Sequence, residues 1–396
     1  MRSWWRRVSE RRSASEGGAT AGAARHPAGA GEWPVAGIPG WPPARRGQES
    51  AGDEAPGGRD AAGKAPSDAG EPATGGAPGF APGGSVQPAR GGSAEPAAGG
   101  TDESAPNPDL PRIGFVGAGR VGTALGVALR RAGWPVTAVA SRDPARRERF
   151  VGLVPGAHGF AEGPAVLDEV DVVFVTVPDD AIAGVASQLR LYSGQAIVHT
   201  SGVLPSSVLV PAMAAGTEAG SFHPLVAFAD LDAALAALPG ATVAIEGDEP
   251  LIPLLGDLAG ALGARAIRVT ADGKPLHHAA AVLAAGGLVS LLDAIAQLGA
   301  AAGLGEEEAV RTYGGLARQG LENAARLGIG AALTGPMVRG DLGTVRAHLD
   351  ALHRVAPDVL PVYLSLGRRS VAVAVARGEL GPEAARELLA LLAQAG

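Results

Sequence analysis

The sequence predicts an α/β fold, a parallel doubly wound sheet, followed by an all-helical domain. From Pro111 short apolar runs alternate with helical stretches, which is typical of βαβ units. The run DVVFVTVP, Asp171 to Pro178, is continuously apolar, as expected for a strand covered on both faces. Beyond Lys274 the chain has long Ala- and Leu-rich stretches and no β-rich run. We therefore predict a tail over residues 1–110, a sheet domain over 111–272 and a helical domain over 273–396.

The first hundred residues have an unusual composition. They include 34 Gly or Pro and only five Ile, Leu, Val or Phe. Such a segment cannot bury enough apolar surface to offset the entropy of ordering it, so we predict that the tail is disordered. Its start has no apolar stretch of the length that an export signal needs, and the cytoplasm is the expected location.

Composition also limits the partners. A net charge of -7 gives no general attraction for nucleic acid or anionic lipid, which favours a small-molecule ligand. The chain has no cysteine, and no carboxylate stands at a recognised ligand spacing around its central histidines, so we predict no metal site. The apolar run Ala279 to Leu292 is short for a membrane span and is interpreted as part of a buried helix.

The elements can be assigned in order along the chain. Apolar runs predict strands at residues 112–116, 135–140, 171–178, 196–200, 221–222, 241–246 and 264–269. Helices are predicted over 119–132, from Asp143-Pro144 onward and over 179–189. In the second domain they are predicted over 275–303, 306–327 and 343–352.

A glycine motif joins the first strand to the first helix. Gly117, Gly119 and Gly122 form GxGxxG in the strand-to-helix context that a dinucleotide site requires. The first glycine permits the tight turn, the second lets the backbone approach a pyrophosphate, and the third lets the helix pack on the strand. These residues predict a Rossmann fold that binds a dinucleotide. The alternative is a merely structural glycine-rich turn.

The end of the second strand favours NADP(H) over NAD(H). An NAD enzyme carries an acidic residue there, whereas this chain has Ser141-Arg142, followed by Arg146 and Arg147. Arginines can hold a 2′-phosphate by charge-assisted bonds, and no carboxylate appears before Asp143. The alternative is that these arginines are solvated helix charges. The predicted cofactor-binding residues are Gly117, Ala118, Gly119, Arg120, Val121, Gly122, Ser141, Arg142, Val177, Pro178, Thr200 and Ser201.

Six further strings carry a family resemblance. GFVGAGRVGTAL, VTVPDDAI, HTSGVL, SFHPLVAF, KPLHHAAAV and ALTGPMVRGD occur in that order over residues 111 to about 365. The chain thereby resembles a bacterial family of oxidoreductases with a Rossmann-like domain and a C-terminal domain of unknown function, number 2520. More distantly it is similar to ketopantoate and pyrroline-5-carboxylate reductases, in which a helical domain closes the substrate site. Some family members are encoded beside pantothenate-synthesis genes, which hints at a substrate.

Three residues are candidates for catalysis. The resemblance implies that Lys274, at the start of the second domain, is the proton donor, and His278 lies one helical turn away. His223 follows a strand and precedes Pro224, which places it to point into the cleft between the domains. The alternatives are a solvated lysine at a helix start and a structural histidine in a turn.

A loop and a helix of the second domain offer substrate-binding groups. Thr334 and Arg339 in LTGPMVRGD are suited to binding a substrate carboxylate, and Asn323 is a further candidate. The alternative for the loop is an Asp341 N-cap that only shapes it.

Two functional hypotheses follow. The first is an NADPH-dependent reductase of a small 2-oxo acid or cyclic imine, similar to a ketopantoate reductase. The second is an NADP-binding sensor or partner protein without turnover. It is motivated by Gly286, which stands where the family often carries an asparagine that could orient a substrate carbonyl. The Ala- and Gly-rich helix over 275–303 needs burial nearly all round, so we also predict a homodimer.

Overall fold

The computed structural model describes residues 106–396, so the predicted disorder of the tail lies almost wholly outside the described residues. Within them, eight strands form one sheet in the order β3-β2-β1-β4-β5-β6-β7-β8. In chain order the strands are β1 (Ile113–Val116), β2 (Val136–Ala140), β3 (His158–Phe160), β4 (Val172–Val175), β5 (Ala196–His199), β6 (Glu218–Pro224), β7 (Thr242–Gly247) and β8 (Arg265–Arg268).

The sheet confirms the predicted doubly wound topology. Strands β1 to β6 pair in parallel, and the strand order reverses at β1, between β2 and β4. Strand β7 is antiparallel to β6, a reversal that the sequence prediction lacked, and β8 is parallel to β7. In open α/β sheets ligands bind at the carboxyl edge where the order reverses, which here is the edge after β1 and β4.

Helices cover both faces of the sheet. They are α1 (Arg120–Arg131), α2 (Pro144–Leu153), α3 (Asp179–Gln188), α4 (Leu231–Ala237) and α5 (Ile252–Ala261), with 3-10 segments at Gly163–Glu169 and Ser206–Ala212. Strand β3, α4, α5 and both 3-10 segments were missing from the prediction. Each is short, and the stretches that form them show no sustained apolar period in the sequence.

The two sides of β4 explain its continuous apolar run. On one face Phe174 stacks on Phe115, with ring centroids 5.4 Å apart, and meets the edge of Phe222 at 5.8 Å. On the other face Val173 and Val175 pack in a separate cluster with helix α3. Both faces are buried, as predicted for a central strand.

The second domain is helical throughout, as predicted. A continuous helical stretch comprises α6 (Lys274–Val282), a one-turn π segment (Leu283–Gly287) and α7 (Leu288–Ala301). It is followed by α8 (Glu306–Leu327), α9 (Ile329–Ala332), α10 (Pro336–Arg339), α11 (Leu342–Val355), α12 (Leu360–Ala376) and α13 (Pro382–Gln394). The core of this domain lies among α10 to α13, with contributions from α7.

The long apolar helix is not buried within the chain, which corrects the prediction. Leu276 is 78% exposed and Leu283 is 72% exposed. Among the described residues, Lys274–Ala301 is the one helix with the length and hydropathy to cross a membrane. Its extent agrees with the predicted helix over 275–303, but the apolar run was counted only as far as Leu292, because Asp293 interrupts the run in sequence and not the helix. One such helix is weak evidence for a membrane span, because it rests on length and composition only.

Candidate active site

The glycine turn between β1 and α1 forms a tight cradle. Gly117 has a φ of +118°, and a Cβ there would lie 2.7 Å from the carbonyl oxygen of Thr176. A Cβ on Gly122 would overlap the Gly117 carbonyl oxygen and Thr176 Oγ1. The Thr176 hydroxyl donates a 2.7 Å hydrogen bond to the Gly117 carbonyl, which holds the turn against the end of β4. The first and third glycines therefore have the geometric roles predicted for them.

A cleft of about 1130 Å³ opens over this cradle at the carboxyl ends of β1, β2 and β4. Helix α1 begins at its floor with Gly119 as N-cap, and no side chain caps its first N–H groups. These N–H groups are free to bind an anion. The predicted cofactor residues that line the cleft are Gly117, Ala118, Gly119, Arg120, Val121, Ser141, Arg142, Val177, Pro178 and Thr200. Phe228 also lines it and was not predicted.

Two predicted cofactor residues lie outside the cleft lining. Gly122 is buried behind the glycine turn, as its packing role requires. Ser201 is also buried, and its hydroxyl accepts hydrogen bonds from the N–H groups of Val203 (3.2 Å) and Leu204 (3.1 Å). Its side chain therefore shapes the turn after β5.

The arginines after β2 divide into two groups. Arg142 is exposed at the cleft, and Arg146 lines it while pairing with Asp143 at 3.1 Å. Asp143 caps α2 by accepting the N–H of Arg146, so its carboxylate is already engaged. Arg147 instead donates a 2.7 Å bond to the Ser141 carbonyl and holds the end of β2. Arg147 is not among the residues that line the cleft, contrary to the prediction.

Lys274, the first residue of α6, is buried at the carboxyl edge of the sheet. Its side chain is among the largest fully buried ones, and the residue is 1% exposed. The Nζ atom donates to the Ser201 carbonyl at 3.1 Å and to the Ser221 hydroxyl at 2.8 Å. Burial lowers the pKa of Lys274, while the charges of Glu246 and Asp179 oppose this shift. The alternative of a solvated lysine at a helix start is therefore wrong.

Three histidines gather beside Lys274 around Gly202. The ring centroid of His223 lies 5.6 Å from that of His278 and 5.8 Å from that of His277. A Cβ on Gly202 would overlap His278 Nδ1 and the His223 ring, so only glycine fits between them. Burial, and next the neighbouring charges of His278 and Lys274, lowers the pKa of His223 to about 4. The structure thus brings together all three predicted catalytic residues.

A fourth histidine, His199, lies at the end of β5 and is fully buried. Its Nδ1 accepts the Ser201 N–H at 3.1 Å, which places the proton of the neutral ring on Nε2. Burial, with a smaller contribution from the Lys274 charge, lowers its pKa to about 4. Among the described residues, His199 Nε2, His223 Nδ1, His277 Nε2 and His278 Nδ1 are buried polar atoms without a hydrogen-bond partner.

Unpartnered buried polar atoms are rare in folded proteins, so four of them near one turn mark a place where water or a ligand is expected. In the part of the chain that the structure describes, no group of three or more His, Asp or Glu side chains is arranged to hold a metal ion.

In the described part of the chain, the predicted substrate-binding residues of the second domain have no bond to the residues around Lys274. Thr334 and Arg339 are exposed. Asp341 caps α11 by accepting the N–H and hydroxyl of Thr344 at 3.0 and 2.7 Å, so the N-cap of the loop-shaping alternative is present. Asn323 accepts a 3.1 Å bond from Arg326 on the same helix. Within residues 106–396, no hydrogen bond, ion pair or ring contact links these three residues to Lys274.

Ser221 and Glu246 were missing from the sequence prediction. The Ser221 hydroxyl, fully buried on β6, donates to Glu246 Oε2 at 3.1 Å, which links Lys274 to a carboxylate on β7. No local motif marks this chain of contacts. One compositional signal does point to Lys274, where these contacts begin. Of the 33 basic residues in the chain, only Lys64 and Lys274 are lysines.

Comparisons with protein families match the two domains separately. A Rossmann-like domain matches residues 99–224, and a domain of unknown function, DUF2520, matches residues 241–370. The chain thus carries a region that matches the Rossmann-like domain, followed by a region that matches DUF2520. The resemblance drawn from the six sequence strings is thereby confirmed. No curated relative matches the chain.

Solved structures share this two-part fold over their whole length. Protein TM1727 from Thermotoga maritima is 25% identical with a TM-score of 0.54, covering 67% of this chain and 99% of that one. A Bacteroides fragilis protein provisionally described as an NADP oxidoreductase is 21% identical (TM-score 0.55; 66% and 98% covered). An imine reductase from a Pseudomonas species is 19% identical (TM-score 0.50; 71% and 99% covered). Each match therefore covers about two thirds of this chain and nearly the whole length of the other protein.

Proposed function

We propose that this Rossmann-DUF2520 protein is an NADPH-dependent reductase of a small 2-oxo acid or imine. The observation that carries the proposal is the buried Lys274, whose Nζ is bonded to Ser201, next to the cleft-lining Thr200. A proton-donating group thus lies at the sheet edge that also holds the glycine cradle. The descriptions of two structural relatives, as an NADP oxidoreductase and an imine reductase, support the same reaction class.

The cleft fits a dinucleotide with a 2′-phosphate. The glycine cradle leaves room for a pyrophosphate at the open N–H groups of α1. Arg142 would bind the 2′-phosphate, because its guanidinium is exposed at the cleft. The carboxylate of the adjacent Asp143 does not compete for it, because it is already bonded to the N–H and side chain of Arg146 on α2. Val177 and Pro178, at the end of β4, would lie against the nicotinamide half.

The chain's own part in the reaction is to place the substrate and supply a proton. When bound, NADPH supplies the hydride to the carbon of the C=O or C=N bond. Lys274 donates a proton from Nζ to the oxygen or nitrogen, so that one hydride and one proton complete the reduction. Burial lowers the pKa of Lys274, which favours this transfer near neutral pH. His223 and His278 line the same turn, and their unpartnered nitrogens are available to a polar substrate.

The test uses the full chain and separates binding from turnover. NADPH and NADH are titrated calorimetrically, and NADPH oxidation is followed spectroscopically with 2-oxo acids, ketopantoate first, and cyclic imines. Lys274→Ala is expected to abolish turnover with NADPH affinity unchanged. Lys274→Arg keeps the charge but cannot release its proton, so it should also be inactive. Full activity of both variants would refute the role of Lys274.

The competing hypothesis of an NADP-binding protein without turnover makes a different prediction. It requires that the chain binds NADPH tightly and that none of the 2-oxo acids or cyclic imines causes NADPH to be oxidised. Its motivating residue, Gly286, lies in the π segment, and a Cβ there would have no atom of the described chain within 4 Å. An asparagine at this position would thus extend into open space in the single chain, which weakens that motivation.

We also propose that the protein acts as a homodimer through the exposed face of the helix Lys274–Ala301. Leu276, Leu283 and Val289 on this helix are 78%, 72% and 66% exposed, and Ile329 on α9 is 74% exposed. The face begins directly at Lys274, so a second copy seated on it would lie close to the site. Exposed apolar surface of this extent is typical of an interface.

Light scattering at micromolar concentration tests the dimer. Leu283→Glu is expected to give monomers. Val355→Glu, on the 60% exposed end of α11, is the matched control and should leave the dimer intact. A monomeric wild-type chain in buffer would refute the dimer, and partition of the chain into lipid vesicles would identify a membrane as the occupant of this face.

A further inference from the structure

We propose that Ser221 and Glu246 are positioning residues for Lys274, which fix its ammonium group at the sheet edge and compensate its charge. The proposal deepens the function proposed above and rests on the assignment of Lys274 as proton donor. Three neighbouring strands take part: Ser201 follows β5, Ser221 lies on β6 and Glu246 on β7.

The contacts form a continuous chain. Lys274 Nζ donates to Ser221 Oγ at 2.8 Å, and Ser221 Oγ donates to Glu246 Oε2 at 3.1 Å. The second anchor is the Ser201 carbonyl at 3.1 Å. Since an ammonium group has three N–H donors, these two bonds hold the group while leaving one N–H for a substrate. The serine hydroxyl is both acceptor and donor, which alanine cannot reproduce.

Glu246 is itself held in place from the other side. Its Oε2 accepts the Ser206 N–H at 2.9 Å, and its Oε1 accepts the Ser206 hydroxyl at 2.8 Å. Both oxygens are therefore fixed, and the carboxylate cannot turn away from Ser221 without losing these bonds. This gives Glu246 two separable roles, an anchor for the 3-10 segment and a counter-charge for Lys274.

The charges around Lys274 favour Glu246 as its main partner. Glu246 on β7 and Asp179 at the start of α3 raise the pKa of Lys274, with Glu246 the larger of the two. Asp179 is exposed, so water screens its charge, whereas the Lys274–Ser221 bond is buried and the Ser221–Glu246 bond is partly buried. The other titratable groups near Lys274 are His199 on β5, His223 on β6, and His277 and His278 on α6 itself. A buried ammonium without a counter-charge would lose its proton, because burial disfavours the charged form.

The composition of the chain agrees with a special requirement at position 274. The chain uses arginine for all but two of its 33 basic residues. An arginine would keep a positive charge at this position, but its guanidinium does not release a proton in proteins. A lysine held by a hydroxyl and a carboxylate combines charge with the ability to release a proton.

The scarcity of lysine makes a direct experiment possible. The full chain is labelled with lysine carrying ¹³C at the ε carbon, which gives two NMR signals, from Lys64 and Lys274. Lys64→Arg assigns them. The chemical shift of the Lys274 signal is followed from neutral to alkaline pH, and its midpoint reports the proton affinity without any substrate.

Three variants separate the roles of the contacts. Glu246→Gln removes the charge and Ser221→Ala removes the link, and both are expected to move the Lys274 midpoint to lower pH. Ser206→Ala removes the hydroxyl half of the anchor of the same carboxylate, keeps the backbone N–H bond and does not touch the link, so it should leave the midpoint in place. Melting temperatures show which variants are folded. If Ser221→Ala does not fold, the midpoint measured in Glu246→Gln alone tests the proposal.

Two results would overturn the proposal. One is a Lys274 midpoint that Glu246→Gln does not move. The other is an equal shift in Ser206→Ala, because loss of the anchor would then explain the effect. Measurements of turnover distinguish this proposal from the proposed function. In Glu246→Gln the alkaline limb of the pH profile of kcat should move to lower pH together with the NMR midpoint of Lys274, while KM changes little. Active Lys274→Ala refutes the catalytic role alone, while an unmoved midpoint refutes the positioning roles alone.

Discussion

Replacement of His199 by asparagine should make the protein less sensitive to acid. The folded chain lowers the pKa of His199 from 6.5 to about 4, chiefly by burial. The unfolded chain therefore binds the proton first, so the stabilisation is fully present above pH 6.5 and is lost as the pH falls from 6.5 toward 4. Asparagine can still accept the Ser201 N–H through Oδ1, but it does not titrate.

The size of the effect follows from the two pKa values. At pH 7 the ring is mostly neutral in both states and contributes little. At pH 5 the ring is mostly protonated in the unfolded chain and mostly neutral in the folded one. This lowers the free energy of unfolding of the wild type by about 2 kcal/mol relative to pH 7. That contribution is absent in His199→Asn, whose free energy of unfolding should fall by about 2 kcal/mol less over this interval.

The assay is urea unfolding at pH 7 and pH 5, compared through the midpoints of wild type and variant. Only the change with pH is interpreted, because the substitution also alters packing at both pH values. His158→Asn is the control, because the His158 side chain is 68% exposed and the substitution therefore removes a histidine without removing a buried one. If His199→Asn and wild type lose the same stability between pH 7 and pH 5, the burial argument for His199 is wrong.

Two further predictions concern the cofactor cleft. Arg142→Ala should weaken NADPH binding about tenfold, the loss of one charge-assisted bond, while NADH binding stays unchanged in calorimetric titration. Arg131→Ala, in the last turn of α1, is the charge-matched control, and equal losses for both ligands would refute the 2′-phosphate assignment. Gly122→Ala should abolish NADPH binding and destabilise the fold by about 1 to 3 kcal/mol, because its Cβ overlaps the Gly117 carbonyl. Gly152→Ala on α2 meets open space and should be neutral or stabilise by up to about 1 kcal/mol in thermal unfolding.

The parts of this fold that could be predicted are those that local sequence determines. Strand β4 was recognisable because burial on both faces requires an unbroken apolar run. Helix α8 was predicted with its observed bounds because Gly305 and Gly328 flank a long amphipathic stretch. The glycine cradle was predictable because a positive φ and a close backbone approach each admit glycine alone.

The direction of β7 and the environment of Lys274 could not be predicted in the same way. Strand direction depends on where the chain returns to the sheet after α4, and apolar period carries no information on this. The Lys274 to Ser221 bond spans 53 residues, and the Ser221 to Glu246 bond spans 25. A serine and a glutamate in two ordinary strands have no local pattern that marks them as partners of a distant lysine.

The burial of Lys274 nonetheless had a signal that sequence reasoning can use. In a chain that uses arginine almost throughout, a lysine indicates a position where arginine does not serve. Arginine serves well in ion pairs that water reaches, such as the partly exposed Arg112–Asp171 pair and the exposed Arg311–Glu307 pair. It does not serve where a buried cation has to release its proton, because its guanidinium stays protonated in proteins. The rarity of a residue type within one chain thus adds evidence that a motif does not, and here it points to the residue around which Ser221, Glu246 and the histidines are arranged.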